Sequence, residues 1–181
     1  MIPTAHPRVK SMTLGFDIRE ITDTVNVATT FRLRFDIWNS ETELKAVTKA
    51  SAEIRDAHED HARHWAAFRN EEMVASARMC VHSDLTESPD IGIFMDVELS
   101  TPVATLNRLV VHASARGVGL AARLDECRIS AAVAQGARSI VGSFPEYRIA
   151  TLEKRGFRLT GQKWIPAYAE SIFAYAMVLT L

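Results

Sequence analysis

Long apolar runs are missing from this sequence, and so is any excess of charge of one sign. No stretch approaches the length needed to cross a bilayer, and the start, Met1-Ile2-Pro3-Thr4-Ala5-His6-Pro7, has no apolar segment of the signal-peptide kind. With 21 Lys and Arg against 22 Asp and Glu, the formal charge of −1 excludes the basic footprint of a non-specific nucleic-acid binder. Cysteine is scarce. Cys80 and Cys127 stand alone without CxxC spacing, which suits a reducing compartment and excludes a disulfide framework. Internal repeats, low-complexity tracts and linker-length charge blocks are also lacking. The expectation is a soluble cytoplasmic protein with no nucleic-acid and no membrane partner. What is present is an ordinary apolar share, 48% of 181 residues, enough to bury a core in a single domain spanning residues 1–181. There are eight glycines, and their placement carries the chemical information.

Met12, Leu14, Phe16 and Ile18 alternate with polar residues, which predicts a half-buried strand. Thr22-Asp23 offers a helix cap, and Val25, Ala28, Phe31, Phe35 and Trp38 continue as a helix. A second helix is expected from Glu41 to His61, then a hairpin of His64–Phe68 and Met73–Met79 about a polar turn. Residues 83–102 read as a long surface connection. A strand from Ala104 to Val111 leads through a glycine turn into a helix with Leu120, Leu124, Cys127, Ala131 and Ala134 on one face, closed by Gly136. Ser139–Phe144 reads as a buried parallel strand. Pro145 suits the first position of the next helix, which Gly156 ends. Phe157–Ile165 and Ile172–Leu181 read as two final strands. The fold class is α+β: a mixed, mostly antiparallel central sheet flanked by helices, with one right-handed βαβ unit.

The βαβ unit holds Leu109-Val110-Val111-His112-Ala113-Ser114-Ala115-Arg116-Gly117-Val118-Gly119-Leu120-Ala121. A helix start exposes unpaired N–H groups and the positive end of the dipole, so an anion docks there. Gly117 and Gly119 remove the Cβ atoms that would hold a phosphate away, and Arg116 adds fixed positive charge. The pattern is neither GxxxxGK[ST] nor GxGxxG, because the third glycine position is Ala122. The plainer reading is a glycine-bearing turn that merely connects strand to helix.

Arg116-Gly117-Val118-Gly119-Leu120-Ala121 resembles the (Q/R)-x-x-G-x-(G/A) pyrophosphate loop of the GNAT acyltransferase superfamily. The five residues Val111–Ala115 match the length of that family's connection into the loop, and Leu152-Glu153-Lys154-Arg155-Gly156-Phe157 is similar to its Y-E-K-x-G-F helix ending. Upstream, Leu33-Arg34-Phe35-Asp36-Ile37-Trp38 leading to Glu41 is similar, more loosely, to L-R-x-x-V-F-x-x-E. The resemblance implies a GNAT-like fold whose βαβ unit carries the CoA loop. It implies transfer of an acyl group, most often acetyl, from acyl-CoA to an amine of a small molecule, without a metal. The backbone of Leu109, Val110 and Val111 would then pair with the pantetheine arm, while Arg116, Gly117, Val118, Gly119, Leu120 and Ala121 hold the pyrophosphate. Many members dimerise through their last strands, so a homodimer is carried as an open expectation.

Two positions depart from the family. Its proton-donating Tyr falls at Leu152, and its fourth-strand carboxylate falls near Thr105. Tyr147 and Glu146, just after the parallel strand, are the substitute catalytic candidates; the plainer reading makes Glu146 a helix-start residue and Tyr147 a surface residue. Tyr168 and Glu170 are further candidates, or plain turn residues. Arg34 and Trp38 are the acceptor-binding candidates, against a buried ion pair (with Glu41) and core packing. Arg108, inside an apolar strand, is expected to pair with a carboxylate. His58, His61 and His64 spread too widely on a helix for one metal site, and Cys127 reads as core. Two other functions stay open: an N-acyl amino acid or acyl-homoserine-lactone synthase using acyl carrier protein, and a non-catalytic acyl-CoA-binding module.

Overall fold

The computed structural model describes residues 15–40, 53–88, 91–166 and 171–181. The first strand, β1 (Asp17–Ile21), sits further along the chain than the alternation from Met12 suggests, and Met12–Leu14 lie outside the described residues. Asp23 then accepts the Asn26 amide at 2.8 Å, which caps α1 (Thr24–Ser40). Phe31, Arg34 and Ile37, three residues apart, face inward from that helix.

The second helix expected from Glu41 to His61 is corrected over its described part. Residues 53–58 are not helical, and only a short 3-10 turn forms at Glu59–His61. The Ile54 amide donates instead to the Phe31 carbonyl, so the segment is bound across α1 rather than coiled on itself.

The hairpin is present as β2 (Arg63–Arg69) and β3 (Glu72–His82). Asn70 and Glu71 both have positive φ, 51° and 63°, the two-residue turn whose twist matches paired strands. The following connection contains two 3-10 turns and is not confined to the surface, because Phe94 is fully buried against Val103, Val141, Ala176 and Val178. Then come β4 (Val103–Val111), α2 (Leu120–Ala134) and β5 (Ser139–Pro145). Gly136, at φ +77°, closes α2 with its amide on Val133 and that of Ala137 on Ala132, the paired bonds of a Schellman stop.

Pro145 does not open a helix. It ends β5, opposite Ala174, and a 3-10 turn (Glu146–Arg148) precedes a short α3 (Ile149–Glu153). Last are β6 (Arg158–Trp164) and β7 (Ala174–Thr180).

The strands form one sheet in the order β1-β2-β3-β4-β5-β7-β6, with every neighbouring pair antiparallel except β4 and β5. Alternation along β3 and β4 divides the side chains between two faces. Ala75, Ala77, Met79, Ala104 and Leu106 join Leu120, Leu124 and Leu152 in the larger core, under α2 and α3. Arg78 reaches the other way, toward α1 and residues 53–62. No helix of the described residues is long and apolar enough to cross a membrane.

Candidate active site

The parallel pairing of β4 with β5 lasts only from Val103 to Thr105, opposite Ser139 to Val141. Beyond that point β4 stays on β3 and β5 stays on β7, so the two strands part and the β4 edge from Leu106 to Val111 faces a cleft. Gly142 marks the apex. A Cβ there would lie 2.7 Å from the Leu106 carbonyl oxygen, so only glycine lets the strands approach this closely before parting.

The open end of the cleft leads into the glycine turn. Gly117 and Gly119 both hold positive φ, 79° and 82°, and a Cβ on either would meet no atom within 4 Å. Leu120, Ala121 and Ala122 therefore start α2 with amides that no residue of their own helix accepts. Arg116 folds back so that its Nε donates to the Val111 carbonyl at 3.0 Å, keeping the guanidinium beside the helix start. Arg69 donates to Ser114 Oγ at 2.9 Å and fixes the preceding turn. The result is an exposed anion cradle at the end of an unpaired strand edge.

On the α1 face, charge is buried beneath the cleft. Arg34 is fully enclosed and donates to Glu59 at 2.7 Å and to the Ile54 carbonyl at 3.4 Å. Arg78 donates to Asp56 at 2.6 Å, to Glu59 at 2.8 Å and to the Asn107 side chain at 2.7 Å. Arg108 donates to Asp56 at 2.6 Å, and its guanidinium lies 5.5 Å over the Trp38 ring. Burial alone would raise the Asp56 pKa, but Arg78 and Arg108 outweigh it and hold the carboxyl well below the usual range. His64, 3.3 Å from Arg34, is pushed down to about 4 by burial and by Arg34 and Arg78, so it is neutral. Its Nδ1 accepts from Arg34, which leaves the proton on Nε2, facing Glu59. Among the described residues, three arginines thus converge on two carboxylates.

A bulge shapes the cleft wall. Ser76 pairs with Val110 and Arg78 with Asn107, so Arg108 and Leu109 together face the single residue Ala77. Arg108 takes up the difference in the left-handed region, φ 53°, at a cost of order 1–3 kcal/mol. From the α2 face, fully buried Arg128 donates to the carbonyls of both Arg78 and Asn107 at 3.0 and 3.2 Å. Arg128 is in turn paired with Asp125, which also binds Arg148. The bulge is clamped from both faces. The expected inward face of α2 holds for Leu120, Leu124 and Ala131, with Cys127 half-buried against the same core; it is corrected in that Ala134 is exposed while Asp125 and Arg128 are enclosed.

Residues 28–157 match the acetyltransferase (GNAT) family. The chain belongs to the GNAT family. Its fold is shared by the CoA-dependent acyl-homoserine lactone synthase BjaI, solved with MTA, at 17% identity and TM-score 0.71, over 92% of this chain and 83% of that one. It is shared by FeeM, an N-acyl amino acid synthase from uncultured soil microbes, at 11% identity and TM-score 0.69, over 91% and 90%. An acyl-CoA N-acyltransferase from Pseudomonas aeruginosa matches at 16% identity and TM-score 0.61, over 91% and 99%. No curated protein matches the chain by sequence.

In this GNAT chain, Leu109, Val110, Val111 and residues Arg116 to Ala121 fall together along the strand edge and its cradle. Glu146 and Tyr147 lie at the same end of the sheet, on the turn after β5, both exposed, Tyr147 at 82%. Arg34, expected to bind the acceptor, has no exposed surface at all. It is locked in the ion network through Glu59 rather than the expected Glu41, which is outside the described residues. Trp38 is half-buried under Arg108. Tyr168 and Glu170 also lie outside the described residues. Leu152 is fully buried core, and His58, His61 and His64 are split between a 3-10 turn and a strand. No group of three or more His, Cys, Asp or Glu among the described residues is placed to hold a metal ion. Sequence reasoning missed Asp56, Glu59, Arg78 and Arg128; for Arg78 and Arg128 the available signal was charge inside an otherwise apolar strand or helix face, the one that flagged Arg108.

Proposed function

We propose that the chain is an acyl-CoA-dependent N-acyltransferase, acting on the amine of a small molecule by direct transfer. The observation that carries this is the unpaired β4 edge running directly into the glycine cradle. An extended pantetheine arm carries amide groups, so it can add to β4 as a strand while its diphosphate meets the α2 amides and Arg116. From Val111 to Leu106 the edge spans roughly 17 Å at about 3.3 Å per residue, which carries such an arm from the cradle to the apex. The cradle fits the diphosphate because both glycine positions are open where a side chain would intrude. The co-substrate supplies an acyl group activated as a thioester.

The chain's own part is to align that group and to present backbone donors where charge develops. The bulge at Arg108–Leu109 lies along this strand, and Glu146 and Tyr147 stand at the mouth of the cleft as proton-carrying candidates. A single domain over residues 1–181, a cytoplasmic setting and a homodimer accompany the reading.

A second reading is favoured by one feature. Three arginines facing two carboxylates, with Arg108 partly exposed beside Trp38, would suit an acceptor that carries a carboxylate. FeeM and BjaI, which share the fold, are named as synthases of N-acyl amino acids and acyl-homoserine lactones. Acyl carrier protein as the better donor would mark such a synthase.

The test is a melting curve with and without millimolar acetyl-CoA and longer acyl-CoAs, followed by thiol release over a panel of amines with and without carboxylates. Acyl-CoA raises the melting temperature, Arg116→Ala with Gly119→Asp abolishes the rise, and at least one amine releases thiol. No shift with any acyl-CoA overturns the reading; tight binding with no turnover converts the chain to a binding module.

A further inference from the structure

At the apex of the cleft, Thr105 is the last β4 residue still paired with β5. Its hydroxyl lies 3.1 Å from His82 Nε2 on β3, and both residues are buried, at 3% and 6% exposure. By strand alternation the pair lies on the α1 face, the same face as the arginine network. The His58 ring meets His82 edge-on at 6.2 Å, and Cys80, the cross-strand partner of Thr105, has its thiol against the His58 carbonyl. Neither Thr105 nor His82 takes part in the ion network, so their hydrogen bond is not needed to satisfy a buried charge.

Resting on the acyltransferase reading, we propose that Thr105 and His82 form the path by which the acceptor nitrogen loses its proton. The hydroxyl of Thr105 is the group that meets the amine, and His82 acts through it. With its proton donated to His82 Nε2, Thr105 Oγ1 keeps lone pairs for an incoming N–H. As nitrogen bonds to the thioester carbon, its proton passes to Oγ1 and the Thr105 proton passes to Nε2. The carbon–sulfur bond then breaks, the thiolate takes a proton from water, and the imidazolium returns its proton to solvent. Amine and thioester become amide and thiol, with no redox change. A threonine alone is too weak a base for this, and a buried neutral imidazole behind it removes that objection. Burial, and then His58, lower the His82 pKa below its ordinary value; Arg78 and His61 act the same way and Glu87 opposes them. The lone pair is therefore available at neutral pH.

The experiment measures kcat, donor KM and pH profiles for Thr105→Val, Thr105→Ser, His82→Gln and the Thr105→Val/His82→Gln double variant, with acyl-CoA and an accepted amine. Thr105→Val and His82→Gln should each lower kcat at least tenfold with donor KM within twofold. Thr105→Ser should restore most activity, and the double variant should be no slower than His82→Gln. The acid limb of the wild-type profile, below pH 6.5, should vanish in His82→Gln. Wild-type rates in Thr105→Val, multiplying losses in the double variant, or an unchanged acid limb would overturn the path. Thr105→Val conserves volume and leaves the imidazole in place, so it decides the matter if His82→Gln does not fold. If acyl-CoA binds but no amine is acylated, the proton path is refuted while donor binding stands; if acyl-CoA does not bind, both fall.

Discussion

Replacing Gly142 by alanine tests how the cleft is built. The new methyl would sit 2.5 Å from Phe144 Cζ and 2.7 Å from the Leu106 carbonyl oxygen. Comfortable carbon contacts are about 3.5–4.0 Å, so the ring must retreat by about 1 Å. Phe144 can pivot, but the Leu106 oxygen belongs to the β4 backbone and moves only with the strand. Overpacking of this kind costs about 1–3 kcal/mol. In a chain of 181 residues that corresponds to a fall in Tm of about 2–12 °C, at about 2–4 °C per kcal/mol. Pairing of β4 to β5 rests on three positions, so the strain falls on the apex and donor affinity drops with stability. Gly92→Ala is the control, because a Cβ there meets nothing within 4 Å. Calorimetry on both variants, with and without acyl-CoA, reads the outcome. A Gly142→Ala protein melting within about 1 °C of wild type would refute the account of the apex.

His64 makes stability depend on pH. Unfolded, it takes up a proton near 6.5; folded, not until about 4, so stability falls as pH drops through that window, by up to about 3 kcal/mol. Denaturant titrations from pH 7 to 4 should show this slope, and His64→Gln should flatten it. Below 3.8 a further loss should set in from Asp56, whose carboxyl Arg78 and Arg108 hold low against the opposing effect of burial. Arg128→Met removes one of the two arginine partners of buried Asp125 and takes the side-chain donor from two strand carbonyls, and should cost about 3–5 kcal/mol in a urea titration; a cost under about 1 kcal/mol would show that the bulge is not held by this side chain. Cys80, 1% exposed and with its thiol pushed up to about 11 by burial, should react with a disulfide reagent only as fast as the protein unfolds, and rapid labelling of it at pH 8 would contradict its placement.

The readable parts of the sequence were those set by neighbours in the chain. The segments His64–Phe68 and Met73–Met79 about the polar turn Arg69–Glu72 suffice for a hairpin, and the apolar spacing from Leu120 suffices for α2. Where local signals competed, the reading went astray. Pro145 suits both a helix start and a strand end, and pairing with Ala174, far along the chain, chose the strand. The apolar spacing through Leu44, Val47, Ala50 and Ile54 suggested a helix reaching His61, yet the Ile54 amide bonds to Phe31 of α1. The ion network was hidden for the same reason. Arg34 and Glu59 lie 25 residues apart and Arg108 and Asp56 lie 52 apart, spacings that no helical or strand period marks.

By itself the sequence determined the class of fold and the cradle: a strand, Arg116, two glycines and a helix start are contiguous, and backbone amides need only local geometry to point at an anion. Only the tertiary structure decided the rest of the site. The parting of β4 from β5, the bulge at Arg108 clamped by Arg78 and Arg128, and the contact between Thr105 and His82 each join residues distant in sequence. Such contacts form because separate elements bury their apolar faces against one sheet, and the polar groups trapped between them must then find partners.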